Sequence, residues 1–508
     1  MEDAFSSPAG AALQREAGVP EPLTPLTELG RTYELERVQA FVLEHEAKRV
    51  ALQFPDELLG DSVAVARALE EMTGAKMFVL GDTAYGSCCV DVLRAEQAEA
   101  DALVHFGPAC LSPLSCPLPV IYVLGQRPVA LELCAEAFRA LHPNPAEPVV
   151  LLSETACAHA LEALAALLRP RYEDILVSLP ALPTTAPGWD HPPLERFGRF
   201  FPLGPGRQLE NYGAFYVGGS ENGDNSGAEV SPDLLQLLLG WAPSRPFSSC
   251  LPSSGQARAE GPRAVRARAR SHYLVERARD AHVVGLLAGA PGGAGHCEAL
   301  AYLRKLVQAA GKRAYVLSLG RPSPAKLANF PEVDVFVLLA CPLRALDRCQ
   351  SGASRGLFRP LLTPYELEAA CNPARGPLGL GPYLTHYSDL LPGSPFHVPI
   401  PPPDSELWGT PDVSLITGEL RVSQASASSD VPDVLEASVL SQRSRLELAE
   451  SSPAGKPSVC PSPSPAPQIL WEPWSVSGRC LDPWLTLFFV PSQLCSLVLV
   501  LGGGWNLS

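Results

Sequence analysis

The chain predicts an α/β class: three related domains of parallel sheets flanked by helices, followed by a disordered C-terminal tail. Three observations lead there. Apolar runs of about five residues alternate with helical stretches from Val50 to Leu339, the rhythm of parallel strands buried on both faces. The alternation falls into three blocks of similar size, which suggests an internal triplication although no residue-level repeat is visible. Three of the apolar runs are followed by a cysteine, Cys89, Cys110 and Cys341, and in open α/β sheets ligands collect where strands finish.

After an N-terminal extension (1–33), domain 1 spans 34–145. Val50-Ala51-Leu52-Gln53-Phe54 reads as its first strand. Val65, Ala68, Leu69 and Met72 then follow at helical spacing from a start at Asp61, and Gly74 is a natural stop. Strands at 77–80, 102–106 and 120–124 and a helix over Ala130 to Ala140 complete the block. Domain 2 (146–262) opens with Val149 to Leu152 and continues through Ile175 to Leu179 and Ala214 to Gly219. Its stretches 180–195 and 220–232 read as surface loops rich in Pro, Gly, Asn and Asp, and 243–262 reads as a linker. Domain 3 (263–405) takes strands Val283 to Ala288, Ala314 to Leu319 and Val335 to Leu339, with a helix over Glu298 to Ala310. Beyond residue 405 Ser and Pro dominate, peaking at Pro461-Ser462-Pro463-Ser464-Pro465, so 406–508 is expected to be a disordered tail. Its apolar end, 484–501, is broken by Pro491, Ser492 and Gln493, and reads as an incidental terminus rather than a membrane anchor.

The formal charge of −15 argues against broad nucleic-acid binding. Six arginines between Arg263 and Arg279 are expected on the solvated face of a helix. The acidic start Met1-Glu2-Asp3-Ala4-Phe5 lacks the pattern of a signal peptide, so a reducing, cytoplasmic setting is expected, without a membrane. The 14 cysteines are then thiols or ligands, not a disulfide framework. Cys134 and Cys157 read as packed core thiols.

No CxxC pair occurs, which weakens zinc, and the three cysteines are not packed into one short loop as in ordinary radical S-adenosylmethionine enzymes. A cubane held by three protein thiolates leaves one iron open to chemistry. Cys89, Cys110 and Cys341 could assemble such a site only on folding. From spacing alone, ligands and buried hydrophobes are equally good readings of these three.

The segments Gly81 to Asp91, Val104 to Cys110, Leu327 to Val337 and Leu390-Leu391-Pro392-Gly393 resemble the second-subunit family of the 2-(3-amino-3-carboxypropyl)histidine synthase that begins diphthamide synthesis. The resemblance covers residues 1 to 420 and implies three α/β domains around a central 4Fe-4S cluster held by Cys89, Cys110 and Cys341, with Cys88 the nearest rival to Cys89. It implies transfer of a 3-amino-3-carboxypropyl group from S-adenosylmethionine to a histidine of elongation factor 2. Related catalytic chains carry a middle cysteine in domain 2. This chain has Pro202-Leu203-Gly204-Pro205-Gly206 and no cysteine between Cys157 and Cys250. A supporting role therefore follows: a heterodimer with a homologous catalytic subunit, electrons entering from a small donor protein and relayed to, or used to maintain, the partner's cluster. The competing readings are a cluster-free scaffold and a quinolinate-synthase-like iron–sulfur dehydratase. The ending after Leu470 departs from the family and suggests an alternative exon or a prediction artefact.

Overall fold

The computed structural model describes residues 24–81, 87–114, 118–182, 192–219, 230–289, 293–319, 322–350, 357–376, 382–409 and 412–421. The loop core 220–229, most of 180–195 and the sequence from 422 onward, including the apolar end, lie outside them.

The first sheet contains β1 (Arg49–Gln53), β2 (Lys76–Val79), β3 (Ala102–Phe106) and β4 (Val120–Val123), all parallel, in the order β2-β1-β3-β4. Val50, Ala51 and Leu52 are inaccessible, as expected for a central parallel strand covered on both faces. The helix Ser62–Thr73 packs on it and stops at Gly74, whose left-handed φ of 71° ends the helix as its sequence predicts.

The second sheet repeats the order with β5 (Val149–Ser153), β6 (Ile175–Val177), β10 (Gly213–Val217) and β11 (Phe247–Cys250), closed by an antiparallel β12 (Ala257–Ala259). Between β6 and β10 a small antiparallel sheet joins β7 (Leu179–Pro180), β8 (Leu194–Arg196) and β9 (Arg199–Phe201). Residues 243–262 are thus not a linker. β11 and β12 are integral to the sheet, and their polar side chains are paired: Ser248 Oγ donates to Ala214 O at 3.3 Å and Ser249 Oγ to Glu260 at 2.5 Å. A strand whose polar groups are satisfied internally leaves no apolar run to read.

The third sheet has β13 (Val283–Ala288), β14 (Arg313–Leu317), β15 (Val335–Leu339) and β16 (Leu361–Leu362), in the order β14-β13-β15-β16. Each of the three large sheets therefore places its first strand between its second and third, with the fourth outside the third. The repeat suspected from the rhythm exists as topology. The helix after β16, Pro364–Cys371, begins with a capping box in which Thr363 Oγ1 accepts from Glu366 N and Glu366 Oε2 accepts from Thr363 N.

Two surface expectations are corrected. The arginine-rich helix, Gly261–Asp280, does form, but Arg268 donates to Leu238 O and Trp241 O at 2.9 and 2.7 Å, capping the helix Pro232–Gly240. Arg270 likewise donates to Cys349 O. Residues 412–421 form a short hairpin of β17 (Asp412–Val413) and β18 (Leu420–Arg421). Arg421 anchors it to the same helix through Glu276 at 2.8 Å and Asp280 at 2.6 Å, so ordered structure continues past residue 405. No helix among the described residues is long and apolar enough to cross a membrane.

Candidate metal centre

Cys110 and Cys341 occupy equivalent places. Cys110 follows β3 and Cys341 follows β15, the third strands of the first and third sheets. Cys341 lies just beyond the strand, at the start of the helix Pro342–Gln350, where Ala345 N donates to its carbonyl. In the second sheet the equivalent strand, β10, runs into Gly218 and Gly219. A Cβ on Gly218 would lie 2.8 Å from the Tyr216 ring and 2.9 Å from Glu154, so no side chain fits there without rearrangement.

Cys88 and Cys89 come from the turn after β2, whose residues 82–86 lie outside the described set. Asp91 caps the following helix, Val92–Gln97, by accepting from Arg94 N. This turn is fastened to its neighbours on two sides. Cys110 N donates to Cys88 O at 2.9 Å, and Gln53, buried at the end of β1, donates to Cys89 O. Gly107, at φ 85°, turns the chain after β3 in a place where a Cβ would meet Pro55 at 2.9 Å.

The three sequence-predicted residues converge, and Cys88 joins them. Cys89 Sγ lies 3.2 Å from Cys341 Sγ and 4.0 Å from Cys110 Sγ, and Cys88 Sγ lies 3.7 Å from Cys341. All four sulfurs fall within 4.8 Å of one another. Cys134 and Cys157 are buried elsewhere as packed thiols. The first and third blocks also meet here through a bridge between Leu114 and Gly293 and a hydrogen bond from Ala294 N to Pro113 O.

Beside the sulfurs lies a small cleft lined by the four cysteines with Val90, Leu93, Tyr122 and Tyr387 among others. Its electrostatics are those of a shared-proton set. Hydrogen bonds from Cys341, Cys88 and Cys89 hold the Cys110 thiol well below the usual range, so one thiolate forms readily. The same sharing with Cys110 pushes Cys89 and Cys341 up. Burial drives the nearby imidazoles toward neutrality, lowering His105 and taking His386 down to about 4.

Four thiols without carboxylate or imidazole form a soft-metal donor set, suited to an iron–sulfur cluster or zinc. A tetrahedral ion with bonds of about 2.3 Å to sulfur has edges of about 3.8 Å. Four of the six sulfur–sulfur separations, at 3.2 to 4.0 Å, are of that size, and all six lie within 4.8 Å. Sequence reasoning found the thiols but not Gln53, Tyr122 or Tyr387. The strand-end rule that located Cys89 points equally to Gln53 and Tyr122, near the ends of β1 and β4.

A triplicated α/β fold that gathers thiols from separate sheets defines a class of thiolate-centred proteins with the site at the strand ends. The chain belongs to the diphthamide synthesis family, whose model, "Putative diphthamide synthesis protein", matches residues 54–377. Subunit 2 of 2-(3-amino-3-carboxypropyl)histidine synthase from Homo sapiens is 68% identical over 456 residues, covering 89% of this chain and 92% of the relative. The Gallus gallus protein of the same name is 45% identical over 459 residues, covering 89% of this chain and 91% of that one. The crystal structure of Dph2 from Pyrococcus horikoshii with a 4Fe-4S cluster superposes with a TM-score of 0.51 at 19% identity, over 69% of this chain and 94% of that one. Its likeness confirms the fold.

Proposed function

We propose that this chain is the supporting subunit of the complex that transfers the 3-amino-3-carboxypropyl group of S-adenosylmethionine to a histidine of elongation factor 2. In this reading Cys89, Cys110 and Cys341 hold a 4Fe-4S cluster, and a homologous catalytic subunit is the partner in a heterodimer. The observation that carries it is the convergence of thiols from the first and third sheets within 4.8 Å. The names of its relatives and the cluster in the P. horikoshii structure support this reading.

The cofactor would supply one-electron reducing power, delivered from a small donor protein and passed to the partner's centre. The chain's own part is positional. Gln53 and the Cys110 amide fix the turn that presents Cys88 and Cys89, and Val90, Val92 and Leu93 line the cleft with apolar surface that limits water. The Gly218 position of the second sheet contributes no sulfur, which supports a role other than the partner's catalysis.

A second reading is favoured by the sulfur spacing: a structural zinc in a cluster-free scaffold. Reconstituted transfer with the catalytic partner separates the two. The relay predicts that Cys341→Ala abolishes transfer driven by a donor protein and that dithionite restores it. Loss of transfer that dithionite does not restore would support the zinc scaffold instead, and unimpaired donor-driven transfer with Cys341→Ala would contradict both.

A further inference from the structure

Two tyrosines from different blocks of the chain line the thiol cleft. Tyr122 comes from β4 of the first sheet, and Tyr387 from the 3-10 turn Tyr387–Leu390 that follows the third. Both are buried, at 6% and 3% exposure. Their rings are fixed by imidazoles: Tyr122 packs on His105 at 5.6 Å, and Tyr387 on His386 at 4.5 Å and edge-on to His296 at 6.1 Å.

Neither phenol hydroxyl has a hydrogen-bond partner among the described residues. Buried phenols ordinarily find one. Here Tyr33 donates to Asp61 at 2.7 Å, Tyr172 to His142 O at 2.7 Å, and Tyr383 to Glu366 at 3.1 Å. Tyr365 is also unpaired, but it lies under the Arg375 guanidinium, away from the cleft. The two unpaired phenols that share the cleft share it with four sulfurs.

We propose that the Tyr122 and Tyr387 hydroxyls are hydrogen-bond donors to the sulfur of the thiolate-held centre and set its reduction potential from two sides. This rests on the cluster reading above. A phenol is protonated at neutral pH, and each hydroxyl that lines the cleft has its O–H free to donate to sulfur. A donor withdraws charge from sulfur and favours the more negative, reduced state, as hydrogen bonds to cluster sulfur do generally. Removing the donors makes reduction harder.

The test is a reductive titration followed by electron paramagnetic resonance on anaerobically purified full-length chain. Wild type, Tyr122→Phe, Tyr387→Phe and the double variant are compared, with iron and sulfide measured on each. Tyr273→Phe, on the exposed face of the helix Gly261–Asp280, is the control. The expected result is unchanged iron and sulfide, an unchanged control, and at least a tenfold lower equilibrium constant for one-electron reduction of the double variant, ~59 mV. A loaded double variant that titrates with wild type overturns the inference and leaves the cluster reading intact. Wild type without iron overturns both. If a phenylalanine variant does not load, wild type made with 3-fluorotyrosine decides: its more acidic phenols raise the potential, and an unchanged potential overturns the proposal.

Discussion

Gln53 clamps the Cys89 turn at both ends: its Nε2 donates to Cys89 O at 2.8 Å, and its Oε1 accepts from Asp91 N at 2.9 Å. A side chain at the end of the central strand of the first sheet thereby fixes the backbone that presents a candidate ligand. Gln53 is 1% exposed, so neither group can turn to water if the side chain is lost.

Gln53→Leu keeps the volume and removes both hydrogen bonds. Residues that orient metal ligands contribute ~10–100-fold to metal affinity, and a loss of that size is expected here. Chelator competition on the anaerobic protein checks it. Retention equal to wild type would show that the turn holds itself.

Gly198 packs on the Cys110 segment at φ 65°, and a Cβ there would lie 3.0 Å from Cys110 O and 3.2 Å from Leu111 Cβ. Gly206 has a similar φ of 75° with nothing within 4 Å. Alanine at either site carries the left-handed penalty of about 1–2 kcal/mol. Gly198→Ala alone is expected to loosen metal retention as well, because only there must the Cys110 backbone move. Denaturant titration and metal release, measured on both variants, separate the two effects.

The residues explain which of these features were legible. Strands written as Val, Leu and Phe runs, such as Val335–Leu339, announced themselves, and the cysteines after them marked the site. Phe247–Cys250 did not, because Ser248 and Ser249 are buried only by virtue of hydrogen bonds to partners distant in sequence. Arg421 read as tail because its anchors, Glu276 and Asp280, lie about 140 positions earlier. Gln53 is one polar residue at the end of an apolar run, and nothing local distinguishes it from a solvated strand end.

His142 gives a pH dependence. Its ring is buried between Phe138 and Phe215, its Nε2 bonds Ser248 Oγ at 2.7 Å, and burial pushes its pKa from 6.5 down to about 4. Between these values the unfolded chain binds a proton that the folded chain refuses, so stability is lost as pH falls from 6.5 toward 4. The loss attributable to this group is on the order of 3 kcal/mol. His142→Leu removes it and leaves Ser248 bonded to Ala214 O, so urea midpoints of the variant should fall less steeply over that window. Parallel slopes for variant and wild type would place the titration elsewhere.

The most direct measurement is the metal and acid-labile sulfide content of the anaerobically purified chain, co-expressed with the proposed catalytic partner, in wild type and in Cys88→Ala, Cys89→Ala, Cys110→Ala and Cys341→Ala. Four irons and four sulfides per wild-type chain are expected, retained in Cys88→Ala and lost in the other three. Zinc without sulfide in wild type, or iron and sulfide undiminished in Cys341→Ala, would contradict the cluster reading.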